Sequence, residues 1–264
     1  MAETGRLTRA RTLMAAASPV TLLRIALIAA VLIGWEALSA SGLLFRDVVP
    51  SLGAIAAALT ALLLDGGFYW HLGVTGFEIA VALAIGGLSG LAVGLALGAN
   101  RLLANAFEPY LYYLGPTPKI IFFPIMIMWF GVGPGSKVAM GVISCFFPIA
   151  LSAAAGMRQI DQVLIRVGRS FRAGTWQMVS KIYLPAMRQP VVNGVRLGLG
   201  VAVIGTLLAE TKLSNRGVGF LIINSYSTFN MPRMYALLAV LFVIAIGANA
   251  LVGRLGRTES TRVS

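Results

Sequence analysis

The sequence holds one cysteine, one histidine and very little charge. A single cysteine, Cys145, excludes an internal disulfide and a cysteine zinc cage. A single histidine, His71, leaves little for a histidine metal site or a Ser-His-Asp nucleophile. Both residues read as incidental. Asp, Glu, Lys and Arg together make only 11% of 264 residues. A soluble surface takes roughly a quarter to a third of charged residues, so the shortage all but excludes a soluble enzyme. Acids are scarcest: nine Asp and Glu stand against 21 Lys and Arg, a net charge of +12. Apolar residues are abundant instead, at 58%. That excludes a disordered chain, which is polar. The 30 glycines show no G-X-Y period, so a collagen-like rod is excluded as well.

A helix needs about 20 mostly apolar residues to cross hydrocarbon. Leu22 to Leu44, Val74 to Leu97, Ser136 to Ala155 and Val191 to Glu210 meet that length, and Tyr235 to Val252 is slightly short but free of charge. Between the second and the next lies Ala106 to Phe130, carrying Pro109, Pro116, Pro118 and Pro124. Proline breaks helical hydrogen bonding. The segment therefore reads as an interfacial turn of helix at Phe107 to Leu114, then a short kinked span from Lys119 to Phe130. Broken backbone at membrane depth survives where protein or a wet cavity covers it. The N-terminal Arg6, Arg9 and Arg11 before an apolar run ending near Ala40 imitate a signal peptide. The multi-span remainder favours an uncleaved first span.

The basic residues give an orientation, because cytoplasmic segments carry the excess Lys and Arg. Thirteen of the 21 fall on three segments. Arg6, Arg9, Arg11 and Arg24 lie at the N-terminus, and Arg254, Arg257 and Arg262 at the C-terminus. Arg158, Arg166, Arg169, Arg172, Lys181 and Arg188 lie in the segment 156–190. All three belong inside. The loops 42–73, 131–137 and 211–234 belong outside, the last weakly, since it holds Lys212, Arg216 and Arg233. An even number of crossings must separate the N-terminus from the segment 156–190. The count is four only if the proline-rich segment crosses once. The expectation is an all-α integral membrane protein with six spans and both termini cytoplasmic. It divides into a tail 1–21, a spanning domain 22–255 and a tail 256–264.

Within the spans, Gly86, Gly90, Gly94 and Gly98 recur every four residues, and Gly194 and Gly198 repeat the spacing. Small residues at this period let helices approach closely in lipid. They read as static packing, with a sliding interface as the functional alternative. Glu36, Glu78, Arg24 and Arg196 lie toward span ends and read as solvated at the interface. No chain of acids resembling a proton relay is present.

The segment Arg158 to Gly194 departs from the rest. Ile160, Val163, Leu164, Val167 and Phe171 follow a helical period, with arginines between them. Ala173-Gly174-Thr175 interrupts it, Trp176, Val179 and Ile182 suggest a second short helix, and Leu184-Pro185 and Pro190 end that helix. Such a basic amphipathic hairpin can rest on anionic lipid. It can equally insert into a groove on a partner, with Trp176 as anchor. The residues alone leave the two even.

This order of helix, A-G, turn, helix and L-P, followed by G-x-R-x-x-x-G, resembles the cytoplasmic "EAA" loop of importer permeases of the ATP-binding cassette class. Ala173, Leu184, Pro185, Gly194 and Arg196 carry the match. Ala209-Glu210 with Gly217-Val218-Gly219 resembles the A-E…G-L-G stretch of that family. Pro116, Pro118, Pro124 and Trp129-Phe130-Gly131 resemble the nitrate, taurine and aliphatic sulfonate subfamily. The sequence departs from the pattern at Arg166, Val167 and Gly168, where the naming glutamate and two alanines fall. It departs again at Arg172, where the family has glycine, and at Pro190, one place late.

The resemblance implies a complex of two permeases (here a homodimer), two cytoplasmic ATPase subunits and a periplasmic or lipid-anchored solute-binding protein in a bacterial inner membrane. Arg166, Arg169, Arg172, Ala173, Gly174, Thr175, Trp176, Leu184 and Pro185 would dock the ATPase. Met126, Trp129, Phe130 and Glu210 are candidates for lining the path. The sequence has no G-x-x-x-x-G-K-[ST] phosphate loop, so ATP and magnesium would belong to the partner, and this chain would bind no cofactor, metal or nucleic acid. The resemblance also implies a small cargo such as a sulfonate, taurine or nitrate. The competing classes are an ion-coupled transporter, a membrane-embedded enzyme and a membrane scaffold without an ATPase.

Overall fold

The computed structural model describes residues 19–42 and 48–257. Arg6, Arg9, Arg11, Arg46, Asp47 and Arg262 lie outside them, as does the end of the first expected span at Leu43 and Leu44.

Helix α1 (Pro19–Ala40) has no buried residue. A helix apolar on every side and unburied by protein belongs in lipid. Its C-terminal end is tied down. The Trp35 indole N–H donates to the Pro50 carbonyl at 3.0 Å, and its ring meets Tyr235 edge-on at 5.2 Å. Glu36, exposed to solvent or headgroups, accepts from the Leu52 backbone N–H at 2.9 Å.

Helix α2 (Leu52–Leu64) is capped by the Ser51 hydroxyl, and α3 (Gly66–Ala99) by the Asp65 carboxylate. Those caps satisfy backbone donors that a helix start leaves open. The Asp65 cap is why α3 begins eight residues before the expected Val74. Its 34 residues reach about 50 Å at ~1.5 Å per residue, well beyond a hydrocarbon layer of about 30 Å.

The proline-rich segment is a sharply bent pair of apolar helices. Helix α4 (Arg101–Leu114), capped by Asn100, starts before the expected Phe107 and accommodates Pro109. A single 3₁₀ turn (Lys119–Phe122) leads into α5 (Phe123–Phe130), and the two halves meet at 94°. Pro124 sits in the first turn of α5, where its missing N–H costs nothing.

Helix α6 (Pro134–Arg158) lies between α3 and α10 (Arg188–Lys212) and is the most buried of the long helices. Glycine makes that sandwich possible. A Cβ on Gly86, Gly90, Gly94 or Gly98 of α3 would strike backbone carbonyls of α6. On the opposite flank, Gly194 and Gly198 of α10 face Ser152 and Ile149. The buried Cys145 lies in this contact and fills the space opposite Gly86. It is thus a packing residue, contrary to its reading as incidental.

Between α6 and α10 run α7 (Gln162–Ser170), α8 (Thr175–Met178), a π turn (Val179–Tyr183) and α9 (Leu184–Ala186). After α10 come α11 (Val218–Ser227) and α12 (Met231–Arg257). Among the described residues, five helices are long and apolar enough to cross a membrane, and six if the bent pair counts as one span.

Two helices fall where the sequence was read as loop. With 13 and 10 residues, α2 and α11 are apolar but too short to cross. They bury Leu62, Val218 and Leu221 with Phe68 of α3 and Ala236 and Leu237 of α12. Tertiary packing, rather than span length, sets these helices.

Candidate functional site

The hairpin between α6 and α10 is built to present one apolar stripe outward. Asp161 caps α7 by accepting from the Val163 N–H at 2.8 Å. The face turned to the body carries Ile165 and Gly168, which join a core of Ile160, Met178 and Met187. Of the expected stripe only Ile160 is buried. Val163, Leu164 and Val167 are exposed, Phe171 is 83% exposed, and Trp176 on the second arm is 77% exposed. The reason is Gly168. A Cβ there would meet the side-chain ends of Ile182 and Met178, so the two arms close over this face.

The turn between the arms is equally specific. Arg172 adopts φ 53°, the left-handed region that glycine enters freely and a branched side chain resists. The Ala173 N–H closes the turn onto the Gly168 carbonyl at 3.0 Å, and the Gly174 N–H donates to Gln177 Oε1 at 2.9 Å. Arg166, Arg169, Arg172, Gly174, Thr175 and Pro185 are exposed, while Ala173 and Leu184 are half-buried. Gly168→Val should part the two arms. Limited proteolysis within 162–186 should then speed up several-fold while the unfolding temperature of the spans stays within a few degrees, because overpacking at one contact costs about 1–3 kcal/mol and here loads the hairpin alone.

A second constellation lies at the opposite end of the spans. Glu210 is 1% exposed. One of its carboxylate oxygens accepts from the Thr75 hydroxyl, and the other from the Gly219 backbone N–H, each at 2.6 Å. Thr75 Oγ1 in turn accepts from the Val218 N–H at 2.8 Å. The Gly217 N–H donates to His71 Nδ1 at 3.1 Å, so His71 fixes the entry to α11 and is not incidental. Gly217 sits at φ 94°, and a Cβ on it or on Gly219 would run into the Glu210 carboxylate.

Lys137, 1% exposed, donates to the Val132 carbonyl and to the Leu213 carbonyl, the latter at 2.8 Å. Glu78 lies within electrostatic reach of both Glu210 and Lys137. It was expected at a solvated interface, yet it is 2% exposed, because α3 continues eight residues outward beyond the expected span. A cavity of ~770 Å³ adjoins the cluster, lined by Glu78, Lys137, Lys212, Arg216, Phe220 and Asn224. Glu210→Ala should destabilise the protein by about 3 kcal/mol, since it strands buried donors and a buried ammonium. A fluorescence melt in detergent measures this, with Glu210→Gln intermediate.

The expected path residues do not meet in one place. Met126 is buried with Phe123, Met140 and Ala209. Trp129 and Phe130 are 72% and 54% exposed. Glu210 serves the cluster around α11. The sequence signal for that cluster was the pairing of Glu210 with Gly217 and Gly219. Nothing in the linear order places Thr75, His71 or Lys137 beside it.

A helical architecture with five to six candidate spans and an exposed hairpin between α6 and α10 defines a multi-span membrane protein. Residues 86–260 match the family described as the binding-protein-dependent transport system inner membrane component. The chain belongs to that family, and it is a permease subunit of an ATP-driven importer. It is 31% identical to the taurine transport system permease protein TauC of Escherichia coli (strain K12), over 73% of this chain and 71% of that one. It is 25% identical to the nitrate import permease protein NrtB of Leptolyngbya laminosa, over 72% of this chain and 68% of that one. Its fold resembles a chain of the MetNI methionine transporter in an inward-facing conformation, with TM-score 0.58 and 20% identity over 69% of this chain and 92% of that one.

Proposed function

We propose that the hairpin 162–186 is the element through which a separate cytoplasmic ATPase drives this permease. The exposure of Trp176 and Phe171 beside Arg166, Arg169 and Arg172 carries the reading. Large aromatics and arginine are the residues that anchor interfaces. Arg172 tops the turn and Trp176 follows it, so both enter a partner's cleft together. Closure of that cleft on ATP and magnesium, bound by the partner, would pull the hairpin. The stiff link to α10 through Leu184-Pro185 would pass the motion to the sandwich of α3, α6 and α10.

A second copy of this chain would complete the path, and an external binding protein would deliver cargo to the face carrying Glu210 and Lys137. Both termini and the hairpin would lie in the cytoplasm, as the excess of Lys and Arg supports. The spanning domain would cover 22–255. The cargo would be a small anion such as taurine, another sulfonate or nitrate, in line with the relatives TauC and NrtB.

The test is reconstitution of the chain in proteoliposomes with the ATPase and binding protein encoded beside it. Taurine or nitrate uptake should require ATP on the hairpin side and the binding protein on the other. Uptake without the ATPase, driven by an ion gradient, would make it a secondary transporter.

A further inference from the structure

The bend between α4 and α5 places a cation level with the middle of the neighbouring long helices α6 and α10. Lys119 begins the 3₁₀ turn where α4 and α5 meet at 94°. Across from it lie Ser144 and Phe147, near the centre of α6, and Val201 and Ile204, near the centre of α10. Its ammonium donates to the carbonyls of Gly115 and Thr117, the latter at 3.2 Å, and stands 5.2 Å from the centroid of the Phe147 ring.

An ammonium has three N–H donors, and these bonds use two. Among the described residues Lys119 has no acidic partner; Glu108 pairs with Arg158, and Asp65 lies 3.8 Å from Arg233. Lys137, by contrast, faces Glu78 and Glu210. A charge at the bilayer centre costs about 2.5–3.5 kcal/mol even in lenient settings, and such residues mark pathways. Tying off two carbonyls of the break accounts for the lysine's position but leaves its charge unneutralised.

A cavity of ~540 Å³ opens onto that charge. This is the size of a small-molecule site, typically ~300–1,000 Å³. Its wall is mostly apolar, with Met140, Phe147, Leu151, Ile204 and Leu208, and Lys119 is the one charged side chain in it. A bare inorganic anion would find the cation but leave the apolar wall without a partner.

We propose that this groove is a mid-membrane binding site for a small amphipathic organic anion. Lys119 takes the anionic head, and the α6–α10 wall takes the apolar body. The site rests on the importer reading above and narrows its cargo.

The direct test is amine acetylation of the full chain in lipid nanodiscs, read lysine by lysine by mass spectrometry. Saturating butanesulfonate should slow modification of Lys119 about tenfold, as ninety per cent occupancy requires, and leave the exposed Lys181 unchanged. Neutral dibutyl sulfone should not protect. Equal protection by both compounds, or none by either, overturns the site. So does a Lys119 that never reacts, which would mean that lipid or a second copy fills the groove. In the reconstituted complex, Lys119→Met should cut butanesulfonate uptake at least tenfold with ATPase capture intact, and Lys119→Arg should restore most of it. Wild-type uptake by Lys119→Met overturns the site while the importer reading stands. Protection of Lys119 without ATP-dependent uptake of any anion would instead leave the site standing and overturn that reading.

Discussion

Gly94→Leu should leave almost no folded permease. A Cβ at this position would already strike the Ala150 carbonyl and the Ala153 side chain, with the Ala154 amide nitrogen at 3.1 Å. Two of those three are backbone atoms of α6, which cannot swing aside as a side-chain tip does. The same holds one turn away at Gly90, where the Phe146 carbonyl would be 2.8 Å from the new carbon. Helices in lipid have no hydrophobic effect driving them together and rely on close packing. A leucine must therefore push α3 off α6 along several turns at once. Overpacking in adaptable cores costs about 1–3 kcal/mol, and a backbone-on-backbone seam should exceed that range. Gly76→Leu on the same helix is the control, since nothing lies within 4 Å of its Cβ. Size-exclusion of detergent extracts and a fluorescence melt should show Gly94→Leu aggregated or melting far below wild type, and Gly76→Leu unchanged.

Trp176→Ala combined with Arg172→Glu should abolish transport while the permease stays folded. Trp176 is 77% exposed and Arg172 is exposed at the turn, so neither holds the hairpin together through contacts of its own. In an interface the same two side chains are the kind that dominate affinity, at about 2–4 kcal/mol each on truncation. A loss of 2 kcal/mol weakens capture about 30-fold, and Arg172→Glu also removes the cation at the turn. The double variant should elute from a membrane preparation without the ATPase, with its unfolding temperature within a few degrees of wild type. Normal capture and normal uptake by the variant would place the coupling contact elsewhere.

Long-range order was legible where one period or one composition dominates. The glycine ridge at Gly86 to Gly98 announces close approach because only helical spacing stacks those positions, and α6 is the helix it meets. The prolines announced a break, and Arg172 could be marked as unusual because its family position is a glycine; its φ of 53° gives the reason. Other features were hidden for physical reasons. Helices α2 and α11 are too short to register as spans, and their stability comes from packing on Phe68 and Leu237. Glu78 reads as a span-end acid until α3 is seen to continue outward. The outward stripe of α7 reads equally as lipid-facing or partner-facing, since periodicity reports an apolar side without saying what covers it. Lys119 reads as the first residue of a span, and only the 94° bend brings it level with the middle of α6 and α10.

The account rests on the hairpin meeting an ATPase, and the chain is well suited to the direct measurement. Cys145, the one cysteine, is fully buried between α3 and α6, so Trp176→Cys gives a single reactive thiol. A benzophenone attached there and irradiated in membranes containing the neighbouring ATPase should join the two proteins in a one-to-one product. Its yield should change when ATP is added. Labelling of lipid or of the permease alone, with the ATPase present and active, would contradict the account.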